Sequence, residues 1–163
     1  MISIISPIYN EADNLMELYR RVVVALESIQ EEFEFILVEN GSSDRSLEII
    51  KKLREKDPRI KYVSLSRNFG HQGGIVAGLA NVSGNAVITL DGDLQHPPEL
   101  IPNLVELWKK GYDVVYTTKK VNKHIGSWRV FPARFFYKLI SYISDVSLTY
   151  GQSDYRLLDR KVV

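Results

Sequence analysis

Two aspartates, Asp91 and Asp93, stand two residues apart around Gly92, directly after the apolar run that ends at Leu90. Carboxylates held this close repel each other unless a cation lies between them. Ligands that are all oxygen suit a hard ion, Mg²⁺ or Mn²⁺, which keeps part of its water and bridges to substrate phosphates. Gln95 could add a carbonyl oxygen. An ordinary surface turn can also contain Asp-x-Asp, but the position at a strand end favours a metal site.

Polar and aromatic residues also follow the first two predicted strands. Asn10 is a plausible helix cap and Glu11 suits a first helical turn, while Tyr9 could stack on a nucleobase. Glu39 closes an apolar strand, where a buried carboxylate needs partners. Together with Asn40 it could read the donor edge of a base or hold a ribose hydroxyl.

The third predicted strand is followed by a glycine-rich loop, Ser-Arg-Asn-Phe-Gly-His-Gln-Gly-Gly over residues 66–74. Its glycines do not follow the dinucleotide-binding fingerprint, and no Gly-Lys-Ser/Thr closes it as in a phosphate-binding Walker loop. A glycine-rich helix start beside Arg67 can still bind an anion. A tight loop that only begins a helix explains the same residues equally well.

Alternating extended and helical patterns must position these groups. Short β-branched or aromatic runs predict five strands, Ile2–Ser6, Phe35–Glu39, Lys61–Leu65, Ala86–Asp91 and Asp113–Thr117. Apolar residues at three- and four-residue steps predict helices that begin near Leu15, Leu47 and Leu100. This order predicts an α/β fold, a mainly parallel sheet with helices on both faces, in which ligands bind beyond the carboxyl ends of the strands.

Composition limits the classes of function. The chain has 163 residues, 45% hydrophobic and 25% charged, as expected for one soluble domain spanning 1–163. Zero cysteines exclude disulfides, thiol catalysis and sulfur-bound zinc. Residues 1–118 carry 12 Lys+Arg against 17 Asp+Glu, and residues 119–163 carry 9 against 3. The basic tail either faces an anion or forms a solvated surface.

Four loop motifs in order resemble one known family: Pro-x-Tyr-Asn-Glu, Glu-Asn-Gly-Ser-Ser-Asp, Arg-Asn-Phe-Gly-His-Gln and Asp-Gly-Asp-Leu-Gln-His-Pro-Pro-Glu. Ser127-Trp128, Phe136-Tyr137-Lys138-Leu139 and Asp154-Tyr155-Arg156 extend the match. The chain resembles family-2 glycosyltransferases of the GT-A fold, which is Rossmann-like, and within them the polyprenyl-phosphate sugar transferases. That branch includes dolichyl-phosphate mannose synthase and the bactoprenol glucosyltransferases.

The resemblance implies a UDP or GDP sugar donor, inversion at the anomeric carbon, and Mg²⁺ or Mn²⁺ on Asp91, Asp93 and Gln95. It also implies a set of donor-binding residues: Pro7, Tyr9, Asn10, Glu11, Glu39, Asn40, Arg67, Asp91 and Gly92. Asp93 and Asp154 are the expected catalytic residues. The family usually has two aspartates where this chain has Glu39 and Asn40. The nucleobase of the donor would therefore meet Asn40, an uncharged hydrogen-bond acceptor, in place of a carboxylate.

A polyprenyl phosphate acceptor is already ionised at neutral pH, so the site must hold an anion rather than supply a strong base. We expect this task of four basic residues: Lys119, Arg129, Arg134 and Arg156. The basic, aromatic stretch 131–145 could lie at a membrane surface or pack on its own core. We expect a soluble chain without a nucleic-acid partner, truncated at its C-terminus, that belongs in full length to the cytoplasmic face of a membrane.

Two other functions fit the same residues. Transfer to a sugar hydroxyl of a surface polysaccharide would require a base, and Asp154 would then be indispensable. A domain that binds a sugar nucleotide without turning it over would account for the changed Glu39-Asn40 pair.

Overall fold

The computed structural model of the chain describes residues 1–118 and 152–163. Six strands form one sheet: β1 (Ile2–Ile8), β2 (Phe33–Glu39), β3 (Ile60–Ser64), β4 (Ala86–Thr89), β5 (Val114–Thr118) and β6 (Gln152–Asp159). Four helices alternate with them: α1 (Leu15–Glu27), α2 (Ser46–Lys56), α3 (Gly70–Leu79) and α4 (Ile101–Lys109). A 3₁₀ turn, Pro98–Leu100, leads into α4. The five predicted strands are confirmed with shifts of one or two residues at their ends.

The strand order is β3-β2-β1-β4-β6-β5. β1 pairs in parallel with both β2 and β4, and β2 pairs in parallel with β3. β6 runs antiparallel to β4, with Thr89 opposite Arg156. The mainly parallel α/β sheet is therefore confirmed, and β6 is a strand that the residue pattern did not predict.

Alternate residues of the strands supply two cores, because successive side chains of a strand point to opposite faces. Ile4 on β1 belongs to the larger core, which α1, α2 and α4 cover. Ile5 belongs to the smaller core on the other face, where Ala77 and Leu79 of α3 pack. Both faces of the sheet thus carry helices. Because the central strands are buried on both faces, their sequences are nearly continuous apolar runs.

Met1–Val115 and Asp154–Val163 form one compact unit, and residues 116–153 form a second unit that lies mostly outside the described residues. A single domain over 1–163 stays a prediction. Lys119, Arg129, Arg134 and the stretch 131–145 also lie outside the described residues. Among the residues that are described, no helix has the length and apolarity needed to cross a membrane.

Candidate active site

A cavity of about 320 Å³ opens at the carboxyl ends of β1, β2 and β4, beside the first turn of α3. This is where a parallel α/β sheet is expected to bind ligands. Seven of the predicted site residues line it: Pro7, Tyr9, Glu11, Asn40, Asp91, Gly92 and Asp93. The lining also includes four residues that had no predicted role: Ile8, Asn68, Gly70 and His71. Four loops, those after β1, β2, β3 and β4, therefore share one site.

The Asp91-Gly92-Asp93 turn lies tightly against the loop after β1. A Cβ on Gly92 would lie 2.7 Å from Cδ1 of Ile8 and 3.2 Å from the carbonyl oxygen of Pro7, so glycine permits this approach. Leu94 adopts φ 61°, an uncommon conformation for a leucine. The backbone N–H of Gln95 then donates to Oδ1 of Asp93 at 3.0 Å. The turn thereby presents Asp91 and Asp93 to the same cavity.

Hydrogen bonds join the loops after β1 and β2, and one of them involves Asn10, which was predicted to cap a helix. Asn10 adopts φ 56°, and its Oδ1 accepts from the backbone N–H of Ser43 at 2.8 Å. The prediction that Asn10 caps a helix is wrong, because α1 begins only at Leu15. Glu11 also precedes the helix, and its carbonyl oxygen accepts from the N–H of Leu15 at 3.1 Å. The prediction that Glu11 lies in the first turn of the helix is therefore also wrong.

Asp44 makes a second link between these two loops. Its carboxylate accepts from the backbone N–H of Ala12 at 3.0 Å and from that of Ser46 at 2.9 Å. Burial raises the pKa of Asp44, but the hydrogen bonds from Ser46 and Ala12 outweigh burial and hold the pKa below its usual value. The ionised side chain is therefore the form that holds the loops together.

Glu39 and Asn40, which replace the usual aspartate pair, both make internal hydrogen bonds. Glu39 is 3% exposed, and its carboxylate accepts from the N–H of Ser42 and from the hydroxyl of Ser64. Asn40 accepts from the N–H of Phe69 at 3.0 Å through Oδ1 and donates to the carbonyl oxygen of Gly70 at 3.0 Å through Nδ2. Asn40 therefore fastens the loop after β2 to the start of α3 while it lines the cavity.

Gly41 permits a close approach of these two loops. It has φ +72°, and a Cβ there would lie 2.5 Å from the carbonyl carbon of Arg67 and 2.8 Å from the nitrogen of Asn68. The Arg67 guanidinium stacks on the ring of Phe69, 4.5 Å from its centroid. Among the residues that the structure describes, six predicted site residues are outside the cavity lining: Asn10, Glu39, Arg67, the exposed Gln95, and Asp154 and Arg156 of β6.

Two histidines approach different carboxylate oxygens of Asp91. Nε2 of His71, in the first turn of α3, lies 3.5 Å from Oδ1, and Nδ1 of His96 lies 3.1 Å from Oδ2. The His71 side chain is 40% exposed, whereas that of His96 is 9% exposed. Neither histidine had an assigned role: His96 lies in the same loop as Asp91, whereas His71 begins α3 and reaches Asp91 only through the fold.

Asp154 and Arg156 of β6 reach the same region. Arg156 donates through Nη2 to Oδ1 of Asp154 at 2.6 Å, and Oδ2 of Asp154 lies 3.4 Å from Nε2 of His71. The hydroxyl of Thr89, at the end of β4, donates to the carbonyl oxygen of Asp154. His71 therefore lies between Asp91 of the metal motif and Asp154, the residue expected at the acceptor side.

The donor set of this site fits a hard divalent cation. Asp91 and Asp93 offer carboxylate oxygens at a cavity open to solvent, as Mg²⁺ and Mn²⁺ prefer. Within residues 1–118 and 152–163, no three His, Cys, Asp or Glu side chains form a group able to hold a metal ion by themselves. The remaining ligands would thus come from water and substrate phosphates, as is usual for Mg²⁺ at phosphate-transfer sites.

Comparison with known proteins identifies the family. The family model described as Glycosyl transferase family 2 matches residues 3–163. The chain belongs to glycosyl transferase family 2. It is 42% identical over 98% of its length to the uncharacterized glycosyltransferase YkcC of Bacillus subtilis, covering 50% of that protein. It is also 42% identical over 94% of its length to the undecaprenyl-phosphate 4-deoxy-4-formamido-L-arabinose transferase of Pseudomonas syringae, covering 44% of it.

A solved structure of another protein has the same fold as this chain. Glucosyl-3-phosphoglycerate synthase of Mycobacterium tuberculosis, crystallised with Mn²⁺, UDP and phosphoglyceric acid, superposes with a TM-score of 0.69 at 19% identity. The match covers 99% of this chain and 56% of the synthase. The predicted GT-A fold is thereby confirmed. The family-2 chain spans about half the length of the curated relatives it matches.

Proposed function

We propose that this chain forms the donor site of an inverting, metal-dependent hexosyltransferase that moves a hexose from a nucleoside-diphosphate sugar to a polyprenyl phosphate. The observation that carries the proposal is the shared cavity: Asp91 and Asp93 line it together with Tyr9 and Asn40. An acidic pair for a cation and an aromatic residue for a base are what a sugar nucleotide requires.

The chain's own residues would bind and orient the donor. Tyr9 is 46% exposed at the cavity, so its ring is available to stack on a base. Asp91 and Asp93 would hold Mg²⁺ or Mn²⁺ beside the diphosphate, with Gln95 as a further oxygen ligand. That cation, when bound, supplies Lewis-acid stabilisation of the departing diphosphate. The synthase of the same fold was crystallised with Mn²⁺ and UDP, so UDP sugars are the first donors to test.

A lipid phosphate is the acceptor that the relatives favour, since several are named as transferases to undecaprenyl phosphate. Such an acceptor attacks through an oxygen that is already ionised, so the protein need only hold and orient it. Arg156 provides one cation: it donates a hydrogen bond to Asp154, which lies 3.4 Å from the cavity-lining His71. We assign the same task to Lys119, Arg129 and Arg134, and we place the reaction at the cytoplasmic face of a membrane.

The test removes the two carboxylate charges together. Asp91→Asn with Asp93→Asn should lower transfer of labelled hexose to polyprenyl phosphate by at least about 100-fold, because electrostatic stabilisation of the leaving group would be lost. Asp13→Asn, an exposed aspartate on the nearby loop, is the matched control and should keep wild-type transfer. Undiminished transfer in the double variant would refute the proposed metal site, and labelled product on protein or glycan alone would refute the lipid acceptor.

Transfer to a sugar hydroxyl is a second candidate because Asp154 lies 3.4 Å from the cavity-lining His71. A hydroxyl must lose its proton during attack, and a carboxylate is a suitable base. In that case Asp154→Asn should abolish the alkaline-rising limb of the pH–rate profile with a polysaccharide acceptor. With polyprenyl phosphate as acceptor, the same substitution should lower the rate without removing a limb of the profile.

A sugar-nucleotide-binding role without turnover makes a different prediction. Calorimetry would show saturable binding of a UDP or GDP sugar in the presence of Mn²⁺, and no acceptor would receive the hexose. Binding together with product formation excludes this alternative.

A further inference from the structure

Asn40 is followed by Gly41, and this is the one Asn-Gly pair in the sequence. Asparagine is among the thermally labile residues, because its side-chain amide can react with the next backbone nitrogen. A glycine at that next position favours the reaction, since it has no side chain to hinder ring closure and its backbone is permissive. The pair is therefore a candidate site of spontaneous modification, and Asn40 lines the cavity.

The atoms of this reaction balance with water as the only co-reactant. A bond forms between the Gly41 nitrogen and Cγ of Asn40, and the bond between Cγ and Nδ2 breaks. Nδ2 leaves as ammonia with the proton of the Gly41 amide, and a succinimide ring remains. Water then opens the ring. Opening at Cγ gives an aspartate, and opening at the backbone carbonyl gives an isoaspartate, in which the main chain runs through the former side chain.

The two reacting groups are held differently. Within the described part of the chain, the Gly41 N–H has no hydrogen-bond acceptor. The Asn40 amide is held at both ends, because Oδ1 accepts from the Phe69 N–H at 3.0 Å and Nδ2 donates to the Gly70 carbonyl oxygen at 3.0 Å. Departure of Nδ2 requires its hydrogen bond to break. The attacking nitrogen is thus available, and the folded loop opposes the loss of ammonia.

We propose that Asn40 is a deamidation site that the fold keeps intact: its contacts with residues 69 and 70 hold back the reaction until the loop after β2 separates from the start of α3. This inference goes beyond the proposed function, since the reaction needs neither donor nor cation.

The product would disrupt the contacts that protected the asparagine. A carboxylate at position 40 has no proton to donate to the Gly70 carbonyl oxygen, so repulsion replaces a hydrogen bond. An isoaspartate also lengthens the main chain beside Gly41, where a built Cβ would already lie 2.5 Å from backbone of Arg67. Modification should therefore displace one wall of the cavity.

The wild-type chain provides the main test. Loss of ammonia at Asn40 is followed by peptide mass spectrometry, in buffer and in guanidinium chloride at the same mildly alkaline pH, with an isoaspartate-specific methyltransferase assay. In the unfolded chain Asn40 should be modified before the other asparagines. In the folded chain its rate should be at least about tenfold lower, because two hydrogen bonds must open first. Equal rates in the two states, or an unmodified Asn40 in guanidinium chloride, would overturn the inference.

Two substitutions of Asn68 leave the Asn-Gly pair unchanged and alter the loop that holds it. Oδ1 of Asn68 accepts from the Gly70 N–H at 2.7 Å, a contact that aspartate keeps and alanine removes. Asn68→Ala should raise the folded-state rate at Asn40 by about three- to tenfold, and the matched control Asn68→Asp should stay within about twofold of wild type. Equal folded-state rates in these two variants would also overturn the inference, because the loop would then not control the reaction.

Ligand binding reports the effect of the product, and this readout rests on the proposed function. A chain that was deamidated while unfolded and then refolded should bind UDP with Mn²⁺ at least about tenfold more weakly than a chain refolded without delay. Equal binding would overturn the inferred displacement of the wall. A fresh chain that binds no UDP would refute the proposed function, and the deamidation rates, which need no ligand, would still decide the inference.

Discussion

Replacement of Gly41 by alanine should pull apart the two loops that form one wall of the cavity. The conformation at φ +72° costs an alanine about 1–2 kcal/mol. The added Cβ would also lie 2.5 Å from the carbonyl carbon and 2.6 Å from the Cα of Arg67, and backbone cannot rotate away as a side chain does. Overpacking of this kind costs about 1–3 kcal/mol. Gly41→Ala should therefore lose about 2–5 kcal/mol of unfolding free energy.

Gly111 offers a matched control, because it has φ +98° and nothing within 4 Å of a built Cβ. Gly111→Ala should therefore show only the conformational cost, about 1–2 kcal/mol. Urea unfolding of both variants, followed by circular dichroism, gives the two free energies. Equal losses would refute the reasoning, since the close approach to Arg67 would then contribute nothing. Gly41→Ala should also weaken UDP binding in the presence of Mn²⁺, because Asn40 would move with the loop.

Two further substitutions, Asn40→Asp with its control Asn68→Asp and Glu34→Gln on β2, test buried polar contacts. Asn40→Asp sets a carboxylate against the carbonyl oxygen of Gly70, where Nδ2 now donates at 3.0 Å, so urea unfolding should show a loss of about 1–3 kcal/mol. Asn68→Asp keeps the acceptor that the Gly70 N–H uses and should stay within about 0.5 kcal/mol of wild type. Burial raises the pKa of Glu34, but Lys61 and the hydrogen bonds from Ser3 and Ser83 outweigh it, and the pKa is lowered. Its contribution is complete above the unfolded-state pKa of about 4.3 and is lost as the pH falls through the lower folded-state value. Glu34→Gln should therefore lose about 1–3 kcal/mol at pH 7 and show a shallower acid dependence than wild type.

The strands and the Asp91-Gly92-Asp93 turn could be predicted because their signals are local. An apolar β-branched run bounded by turn residues predicts a strand, and two carboxylates at its end predict a cation site whatever lies elsewhere. Strand ends were less certain, since β1 continues through Pro7 to Ile8. Pro7 itself lines the cavity, and a proline is not a typical strand residue, so the residue pattern ended the predicted strand before it.

Asn10 shows why a local rule can fail. Its residue type suits a helix cap, but the hydrogen bond of its side chain goes to Ser43, 33 residues away. Competition between a local and a distant partner is settled by the distance between loops, which the sequence does not contain. Glu39 is a different case: its buried carboxylate was expected to need partners, and it accepts from the nearby Ser42 N–H and from the more distant Ser64 hydroxyl.

By itself the sequence determined the family, the α/β alternation and the acidic turn at Asp91, because each depends on residue type and short spacing. Only the tertiary structure decided that β6 enters antiparallel beside β4, bringing Asp154 close to His71. It also decided that His71 and His96 meet on one carboxylate. The physical reason is that the contacts of His71 with Asp91 and Asp154 join residues that lie far apart in the sequence, and their geometry follows from the order of the strands that support them.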